Sequence, residues 1–355
     1  MGARDLALFH AHGGRTDAAR AVFGGDDWID LSTGIAPWAW PVAGMAFGWE
    51  QLPEPGAIAA LEAAAAEAFG VADPARVVAV PGSDLAMRLL ALVIAARRPC
   101  VVRPGYAGHL AAWPGAVAVT PHDVTMSAGS PAQAGPQGTA PSVRNSGLLP
   151  AQEHRGVKDA DLLVLASPAN PDGRLTDPTL LRSLAQRMTV VVDEAYADPA
   201  PGLSPHADDR LVVLRSFGKF YGLPGLRLGF VIAGTALATR LRTLLGDWPV
   251  SSAAIAIGTA AYRDQDWQRA QQVRIAETDA LLDEVLRDAR LPVVGSAPLF
   301  RLIACTHATK LFETLARHAI LTRPFADQPD RLRIGLPRGA AGLVRLATAL
   351  EEFPR

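Results

Sequence analysis

Seven short apolar segments, rich in valine and leucine, recur between residues 76 and 233 of this 355-residue chain. Stretches with helical character, such as 57–69 and 84–96, alternate with them. Strands that are apolar at consecutive positions are typical of a mostly parallel sheet that helices cover on both faces. The pattern predicts a large α/β domain whose seven strands lie at 76–80, 100–103, 117–120, 161–166, 189–194, 211–216 and 227–233.

The pattern changes after a helix at about 237–245, which is expected to link two domains. A long polar helix at about 264–290, strands near LFRLI and RLRIG, and helices near 309–318 and 340–352 indicate a smaller α+β unit. We therefore expect an N-terminal arm (1–40), a large domain (41–240) and a small C-terminal domain (241–355).

One segment of the predicted large domain has no periodicity. Residues 121–158 are rich in alanine, glycine, proline, serine and glutamine. This composition predicts a long surface loop or a partly disordered insertion.

Composition narrows the class of protein. The 34 basic and 35 acidic residues give a net charge of −1, which favours neither nucleic acid nor an anionic membrane as a partner. Two separate cysteines, Cys100 and Cys305, form neither a disulfide framework nor a thiolate metal site. The longest apolar run is too short to span a bilayer. We expect a cytoplasmic protein.

The strongest chemical signal is a lysine beside a predicted phosphate site. Ser216 closes a strand, Lys219 follows it, and Arg227 comes eight residues later in a glycine-rich stretch. A hydroxyl, backbone N–H groups and a guanidinium can converge there on a phosphate. A lysine whose pKa is lowered by such surroundings can form an imine with a carbonyl. Taken alone, Lys219 also fits an ordinary solvated residue.

Two polar residues follow neighbouring apolar strands. Asp193 closes TVVVD, and a buried carboxylate needs a partner such as a protonated ring nitrogen, although it could also cap a helix or bind a metal. Asn170 lies in the turn SPANPDGR, where its amide could donate to an oxyanion or serve only the turn.

A further group of residues could complete a binding site. Gly82, Ser83 and Asp84 follow a strand and open a helix, whose N-terminal N–H groups can bind phosphate, although serine and aspartate are also common helix caps. Tyr106 could stack on an aromatic ring or simply pack in the core.

Together, the spacing S-x-x-K-x7-R, the upstream D-x-A-Y, the N-P-D-G turn and the G-S-D triplet resemble the fold-type I pyridoxal 5′-phosphate (PLP) enzymes, the class I and II aminotransferase superfamily. The resemblance covers roughly residues 30–355. It implies the aspartate aminotransferase fold, PLP as the cofactor and a homodimer.

The resemblance also implies roles for the matching residues. Lys219 would carry the cofactor as a Schiff base, Asp193 would contact the pyridine nitrogen, and Asn170 and Tyr196 the phenolic oxygen. The remaining cofactor contacts would come from Gly82, Ser83, Asp84, Ser216 and Arg227 around the phosphate and from Tyr106 on the ring.

Within the superfamily, HGGR at 12–15, IDLSTGIAPWAWP at 29–41 and PGYAGH at 104–109 are similar to the threonine-phosphate decarboxylases of cobalamin biosynthesis, in the histidinol-phosphate aminotransferase branch. This implies a small phosphorylated amino acid as substrate. We expect Arg323 and Arg333 to bind its anionic groups, unless they are solvated surface charges, and Asn170, His12, Thr33 and Gly34 to assist.

The motifs leave the reaction open. Decarboxylation and transamination use the same cofactor residues, and a non-catalytic ligand-binding protein of this fold is a third alternative. No metal is expected, because the pair His10 and His12 has no third ligand nearby in the sequence.

Overall fold

The computed structural model describes residues 3–10, 12–127 and 156–353. A seven-stranded sheet, a smaller four-stranded sheet, a two-stranded sheet and the helices around them account for most of these residues. The helices are α1 (Ala3–His10), α2 (Thr16–Phe23), α3 (Pro55–Ala68), α4 (Ser83–Val93), α5 (Ala107–Ala112), α6 (Pro121–Ser127), α7 (Pro178–Ala185), α8 (Thr235–Leu245), α9 (Ser252–Arg263), α10 (Gln265–Asp288), α11 (Ala308–Arg317) and α12 (Gly339–Glu351). The strands are β1 (Ile29–Asp30), β2 (Val77–Val80), β3 (Pro99–Val102), β4 (Val117–Val119), β5 (Leu162–Ala166), β6 (Thr189–Asp193), β7 (Leu211–Ser216), β8 (Gly229–Ile232), β9 (Val293–Ala297), β10 (Phe300–Ala304), β11 (Ile320–Leu321), β12 (Arg323–Pro324) and β13 (Arg331–Gly335).

The large sheet has seven strands in the order β2-β8-β7-β6-β5-β3-β4, and all seven predicted strands are present. Strands β3 to β7 run parallel to their neighbours among themselves, and β8 pairs antiparallel with both β7 and β2. Successive valines of β6 enter different cores: Val190 and Val192 pack on one face and Val191 on the other. This burial on both faces explains the continuous apolar runs and confirms the predicted fold class.

The smaller sheet has the order β12-β13-β10-β9 and is antiparallel throughout. Helices α10, α11 and α12 pack together beside it. The N-terminal segment joins this region, because β1 pairs in parallel with β11. It then crosses to the large sheet, where the Ala36 N–H donates to the Lys219 carbonyl at 2.9 Å. Residues 32–34 therefore lie between the two sheets.

One expectation needs correction and two others gain detail. The predicted loop at 121–158 begins with helix α6, where the carboxylate of Asp123 accepts from the Thr120 N–H at 2.7 Å, and residues 157–159 form a short 3-10 turn; residues 128–155 lie outside the described chain. The helix predicted to link the domains is α8, which packs on α4 and β2. The segment expected to form an N-terminal arm (1–40) contains helices α1 and α2.

The predicted domain boundaries at residues 40 and 240 stay predictions. Helix α9, which the sequence pattern missed, packs against α3 of the predicted large domain, so contacts cross the second boundary. The Ser251 hydroxyl caps α9 by accepting from the Ala254 N–H at 3.2 Å.

Candidate active site

Three of the predicted functional residues follow neighbouring parallel strands at the same edge of the large sheet. Asn170 follows β5, Asp193 ends β6, and Lys219 follows β7. The carboxyl ends of parallel strands are where ligands bind in α/β sheets. Residues that are far apart in the sequence therefore meet at one place.

A cavity of about 210 Å³ lies at this edge. It brings together nine of the ten residues expected to contact a cofactor, and the tenth, Gly82, precedes the helix that forms one of its walls. The lining residues are Ser83, Asp84, Met87, Tyr106, His109, Ala166, Pro168, Asn170, Asp193, Ala195, Tyr196, Ser216, Lys219 and Arg227.

One end of this cavity contains the carboxylate of Asp193. Its Oδ1 accepts from the Ala195 N–H at 3.1 Å, and its Oδ2 lies 2.9 Å from His109 Nε2. His109 is fully buried on α5, and its Nδ1 has no hydrogen-bond partner among the described residues. The two contacts fix the carboxylate so that it faces the cavity. Sequence reasoning assigned no role to His109.

The other end contains groups suited to a phosphate. Helix α4 begins at Ser83 and directs its first N–H groups toward the cavity, near Ser216 and Arg227. Gly82 adopts a positive φ of 94°, and a Cβ atom there would lie 2.5 Å from Arg227 Nη2. At Gly229 a Cβ atom would lie 2.7 Å from the Ser83 N. Side chains at either position would fill the space beside these donors.

Tyr106 lies between the two ends. Its hydroxyl donates to Asp84 Oδ1 at 2.9 Å, and its ring meets the His109 ring edge-on at 5.5 Å. Burial and the neighbouring Asp84 carboxylate raise the pKa of Tyr106, so the side chain stays a neutral phenol. Its ring is therefore held in place by a contact that leaves one face to the cavity.

A second, larger cavity of about 540 Å³ adjoins the first and shares Tyr106, Asn170, Tyr196 and Lys219 with it. All six residues expected to contact the substrate line it: His12, Thr33, Gly34, Asn170, Arg323 and Arg333. His10, Arg103 and Asp327 also line this cavity and were not predicted as site residues.

Arg333 lines the second cavity and contacts Asn170, which lines both cavities. Only 5% of the residue is exposed, and its Nη1 donates to Asn170 Oδ1 at 2.7 Å while its Nη2 donates to the Ser32 carbonyl at 2.8 Å. A guanidinium has only donors, so it must meet the amide oxygen of Asn170. The amide nitrogen of Asn170 is then free to donate elsewhere in the site.

Arg323, on β12, also lines the second cavity; it is the cross-strand partner of Arg333 on β13, and it donates to the Phe9 carbonyl. Burial and the nearby Arg333 charge lower the pKa of Arg323, against an opposing effect of Asp327. Two guanidinium groups that are close enough for the charge of one to lower the pKa of the other create a region that favours an anion.

Tyr196 stands where the cavities meet. Its ring contacts Phe300 edge-on at 5.1 Å, and the Lys219 Nζ lies 5.7 Å from its centroid. A Cβ atom at Gly34 would lie 2.7 Å from Tyr196 Cε1, so glycine allows the N-terminal segment to approach this ring. The predicted site residues Thr33 and Gly34 are thus brought to the site by backbone contact.

Within the described ranges, no group of three or more histidine, cysteine or acidic side chains has the geometry to hold a metal ion. None of the helices in the same ranges is long and apolar enough to cross a membrane.

Curated proteins with similar sequences extend over almost the whole chain. The chain is 35% identical to a threonine-phosphate decarboxylase of Pseudomonas aeruginosa, covering 96% of this chain and 97% of that protein. It is also 35% identical to a threonine-phosphate decarboxylase of a Sinorhizobium species, over 96% and 98% of the two chains. A histidinol-phosphate aminotransferase of Oleidesulfovibrio alaskensis is 34% identical over 51% of this chain and 52% of that protein.

Solved structures share the fold. Histidinol-phosphate aminotransferase from Sinorhizobium meliloti, in complex with pyridoxal-5′-phosphate, superposes with a TM-score of 0.74 at 22% identity, covering 95% and 94% of the two chains. L-threonine-O-3-phosphate decarboxylase from Porphyromonas gingivalis gives a TM-score of 0.59 at 22% identity, over 86% and 90%. The sequence model for aminotransferase class I and II matches residues 43–349. The chain therefore belongs to the aminotransferase class I and II family.

Proposed function

We propose that this protein is a PLP-dependent decarboxylase that converts L-threonine O-3-phosphate to (R)-1-aminopropan-2-ol O-phosphate and CO2, as a step of cobalamin biosynthesis. The observation that carries the proposal is the near-full-length similarity to two threonine-phosphate decarboxylases. The two adjoining cavities support it, because one suits PLP and the other suits a small anionic substrate.

The groups around the first cavity fit PLP. Asp193, fixed by His109, would hold the protonated pyridine nitrogen, and the α4 N-terminus with Ser83, Ser216 and Arg227 would hold the phosphate. Lys219 lies between these ends. When bound, PLP supplies an electron sink for the bond that breaks at the substrate α-carbon.

The phenolic oxygen of the cofactor would meet two donors. The Asn170 amide nitrogen is left free because Arg333 occupies its oxygen, and the Tyr196 hydroxyl lines the same cavity. Hydrogen bonds from neutral donors stabilise an oxyanion without adding a proton. These two residues therefore act on the electronic state of the cofactor and do not transfer the reacting atoms.

Arg333 is the best ligand for the substrate carboxylate. It is buried, lines the second cavity and contacts Asn170, which lines both cavities, so its guanidinium can orient the carboxylate relative to the cofactor. The substrate phosphate would then extend into the outer part of the second cavity toward Arg323, with His12 and the backbone at Thr33 and Gly34 nearby. Orientation decides which bond breaks, because only the bond perpendicular to the cofactor ring is weakened.

Lys219 is suited to move a proton. Its Nζ lies at the junction of the cavities and near the Tyr196 ring, within reach of the substrate α-carbon side of the site. After the carboxylate leaves as CO2, a general acid must return one proton to the same carbon. Lys219 would be that acid.

A histidinol-phosphate-type aminotransferase is the second candidate function. The 34% identity to a histidinol-phosphate aminotransferase over about half of the chain supports it, and the cofactor residues would serve it equally. The two candidates differ in their second substrate: an aminotransferase needs a keto acid acceptor, whereas the decarboxylase does not.

The test is to incubate the PLP-loaded protein with O-phospho-L-threonine and to measure CO2 release without any keto acid. We expect one CO2 per amine product and no release from Lys219→Ala, which should also lose the visible absorption band of the bound cofactor. Amino transfer from glutamate to imidazole-acetol phosphate, with no CO2 from O-phospho-L-threonine, would establish the aminotransferase instead.

The family resemblance also supports a cytoplasmic homodimer, which forms part of the proposal. Light scattering of the purified PLP-loaded protein should give twice the 37.4 kDa mass of one chain. A monomer that retains full activity would refute the dimer.

A further inference from the structure

An ion pair crosses the outer part of the second cavity. Arg103 follows β3 of the large sheet, and its Nη2 lies 2.8 Å from Oδ2 of Asp327, in the turn between β12 and β13 of the small sheet. The Arg103 Nη1 donates to the Gly105 carbonyl at 3.2 Å. Both side chains line the cavity. The pair thus joins loops from the two sheets over the place proposed for the substrate phosphate.

The described residues that line this cavity include three guanidinium groups and one carboxylate. Arg103, Arg323 and Arg333 line it, and Asp327 is the one carboxylate among its described lining residues. Burial and the Arg323 charge lower the pKa of His10, and the Asp327 charge opposes this shift, as it also does at Arg323. Asp327 therefore lies within electrostatic reach of three cationic or titratable side chains.

A carboxylate in that position competes with an incoming phosphate. Guanidinium binds phosphate and carboxylate through the same forked donors, and a phosphate carries more charge than a carboxylate. The Arg103–Asp327 pair is partly open to water, with side chains 30% and 51% exposed. Partly exposed pairs of this kind contribute little free energy, so a phosphate can displace the carboxylate.

We propose that Arg103 is a ligand of the substrate phosphate and that Asp327 occupies its guanidinium when no substrate is bound. This inference rests on the proposed function and adds the residue that selects for the phosphate group. Arg103 then distinguishes a phosphorylated amino acid from its unphosphorylated form, while Asp327 acts as a positioning residue that holds the guanidinium at the cavity wall. Binding exchanges one anion for another and forms no covalent bond.

The experiment compares the PLP-loaded wild type, Arg103→Ala, Asp327→Asn and the control Arg345→Ala. Arg345 also carries an ion pair, to Asp27 at 2.9 Å, has a similarly exposed side chain (28%) and lines neither cavity. Steady-state kinetics with O-phospho-L-threonine give KM and kcat, and calorimetric titration with inorganic phosphate gives a dissociation constant that does not depend on turnover.

Arg103→Ala is expected to raise KM and the phosphate dissociation constant by about 10- to 100-fold with little change in kcat, the loss expected for a charge-assisted hydrogen bond. Asp327→Asn should lower both KM and the phosphate dissociation constant, by about two- to five-fold, because the carboxylate that competes with phosphate is gone. Arg345→Ala should leave both unchanged. If the ion pair had only a structural role, Arg103→Ala and Asp327→Asn would change KM and the phosphate dissociation constant in the same direction.

Two outcomes separate this inference from the proposed function. If Arg103→Ala leaves both constants within about twofold of the wild type, or if Asp327→Asn weakens phosphate binding, the assignment of Arg103 is wrong even where CO2 is released. If the wild type releases no CO2 but phosphate binding responds as stated, the proposed reaction fails and the anion site stands.

Discussion

Replacing Arg333 by lysine tests how the site orients a substrate carboxylate. In the wild type, the guanidinium donates at 2.7 Å to Asn170 Oδ1 and at 2.8 Å to the Ser32 carbonyl, and still faces the second cavity. A lysine ammonium is a point charge on a flexible stem and lacks the planar fork. It cannot keep both contacts and also present two parallel donors to a carboxylate.

The expected loss follows from these contacts. Losing one hydrogen bond to a charged group costs about 1.5–3 kcal/mol, which corresponds to a decrease of roughly 10- to 150-fold in kcat/KM. The Asn170 amide also loses its anchor, so the absorption maximum of the bound cofactor should shift. The assay is steady-state CO2 release from O-phospho-L-threonine, together with the absorption spectrum.

Arg331→Lys is the matched control, because Arg331 lies two residues earlier on β13, pairs with the exposed Asp330 and lines neither cavity. It should remain within about twofold of the wild type. If Arg333→Lys also stayed within that range, or if both variants lost activity equally, Arg333 would not orient the substrate.

Replacing Arg215 by methionine should lower the free energy of unfolding by about 3–5 kcal/mol in urea denaturation, because Glu194 and Asp198 would stay buried without their cation; a loss under about 1 kcal/mol would contradict this. Replacing His109 by leucine removes the contact to Asp193 and should weaken PLP binding about tenfold in an absorbance titration, whereas unchanged binding would show that His109 only fills space. Burial raises the pKa of Asp279 from 3.8 to about 6. Between these two values the folded protein keeps a proton on Asp279 that the unfolded chain has released, so the free energy of unfolding falls as pH rises through that range. Asp279→Asn should flatten that fall in unfolding curves taken at several pH values; an unchanged slope would assign it to other groups.

The sequence predicted the large sheet well because its strands are buried on both faces. A run such as TVVVD at β6, with helices before and after it in the sequence, is typical of a parallel strand that is buried on both faces. The end of that strand also predicted the position of Asp193. The main helices and strands after residue 264 were also predicted in outline. Helix α9 was missed because its composition, dominated by alanine and small apolar residues, gave no clear division into apolar and polar faces.

The residues that were missed in the site depend on contacts between distant parts of the chain. Arg103 and Asp327 are 224 positions apart, and nothing in either loop alone indicates the other. His109 is 84 positions from Asp193 in the sequence. A signal was nevertheless present, because His109 comes three residues after Tyr106, and this spacing places His109 and Tyr106 on the same side of a short helix. The roles of the predicted residues stay proposals, but their meeting around two adjoining cavities is a property of the fold.

The decarboxylase assignment can be tested by the reaction of O-phospho-L-threonine with the PLP-loaded protein in deuterium oxide, without any keto acid, followed by NMR of the amine product. We expect 1-aminopropan-2-ol O-phosphate with one deuterium on the carbon that lost CO2, because Lys219 returns a single solvent-derived proton to that carbon. A substrate that exchanges its α-proton but keeps its carboxylate would contradict the decarboxylase assignment.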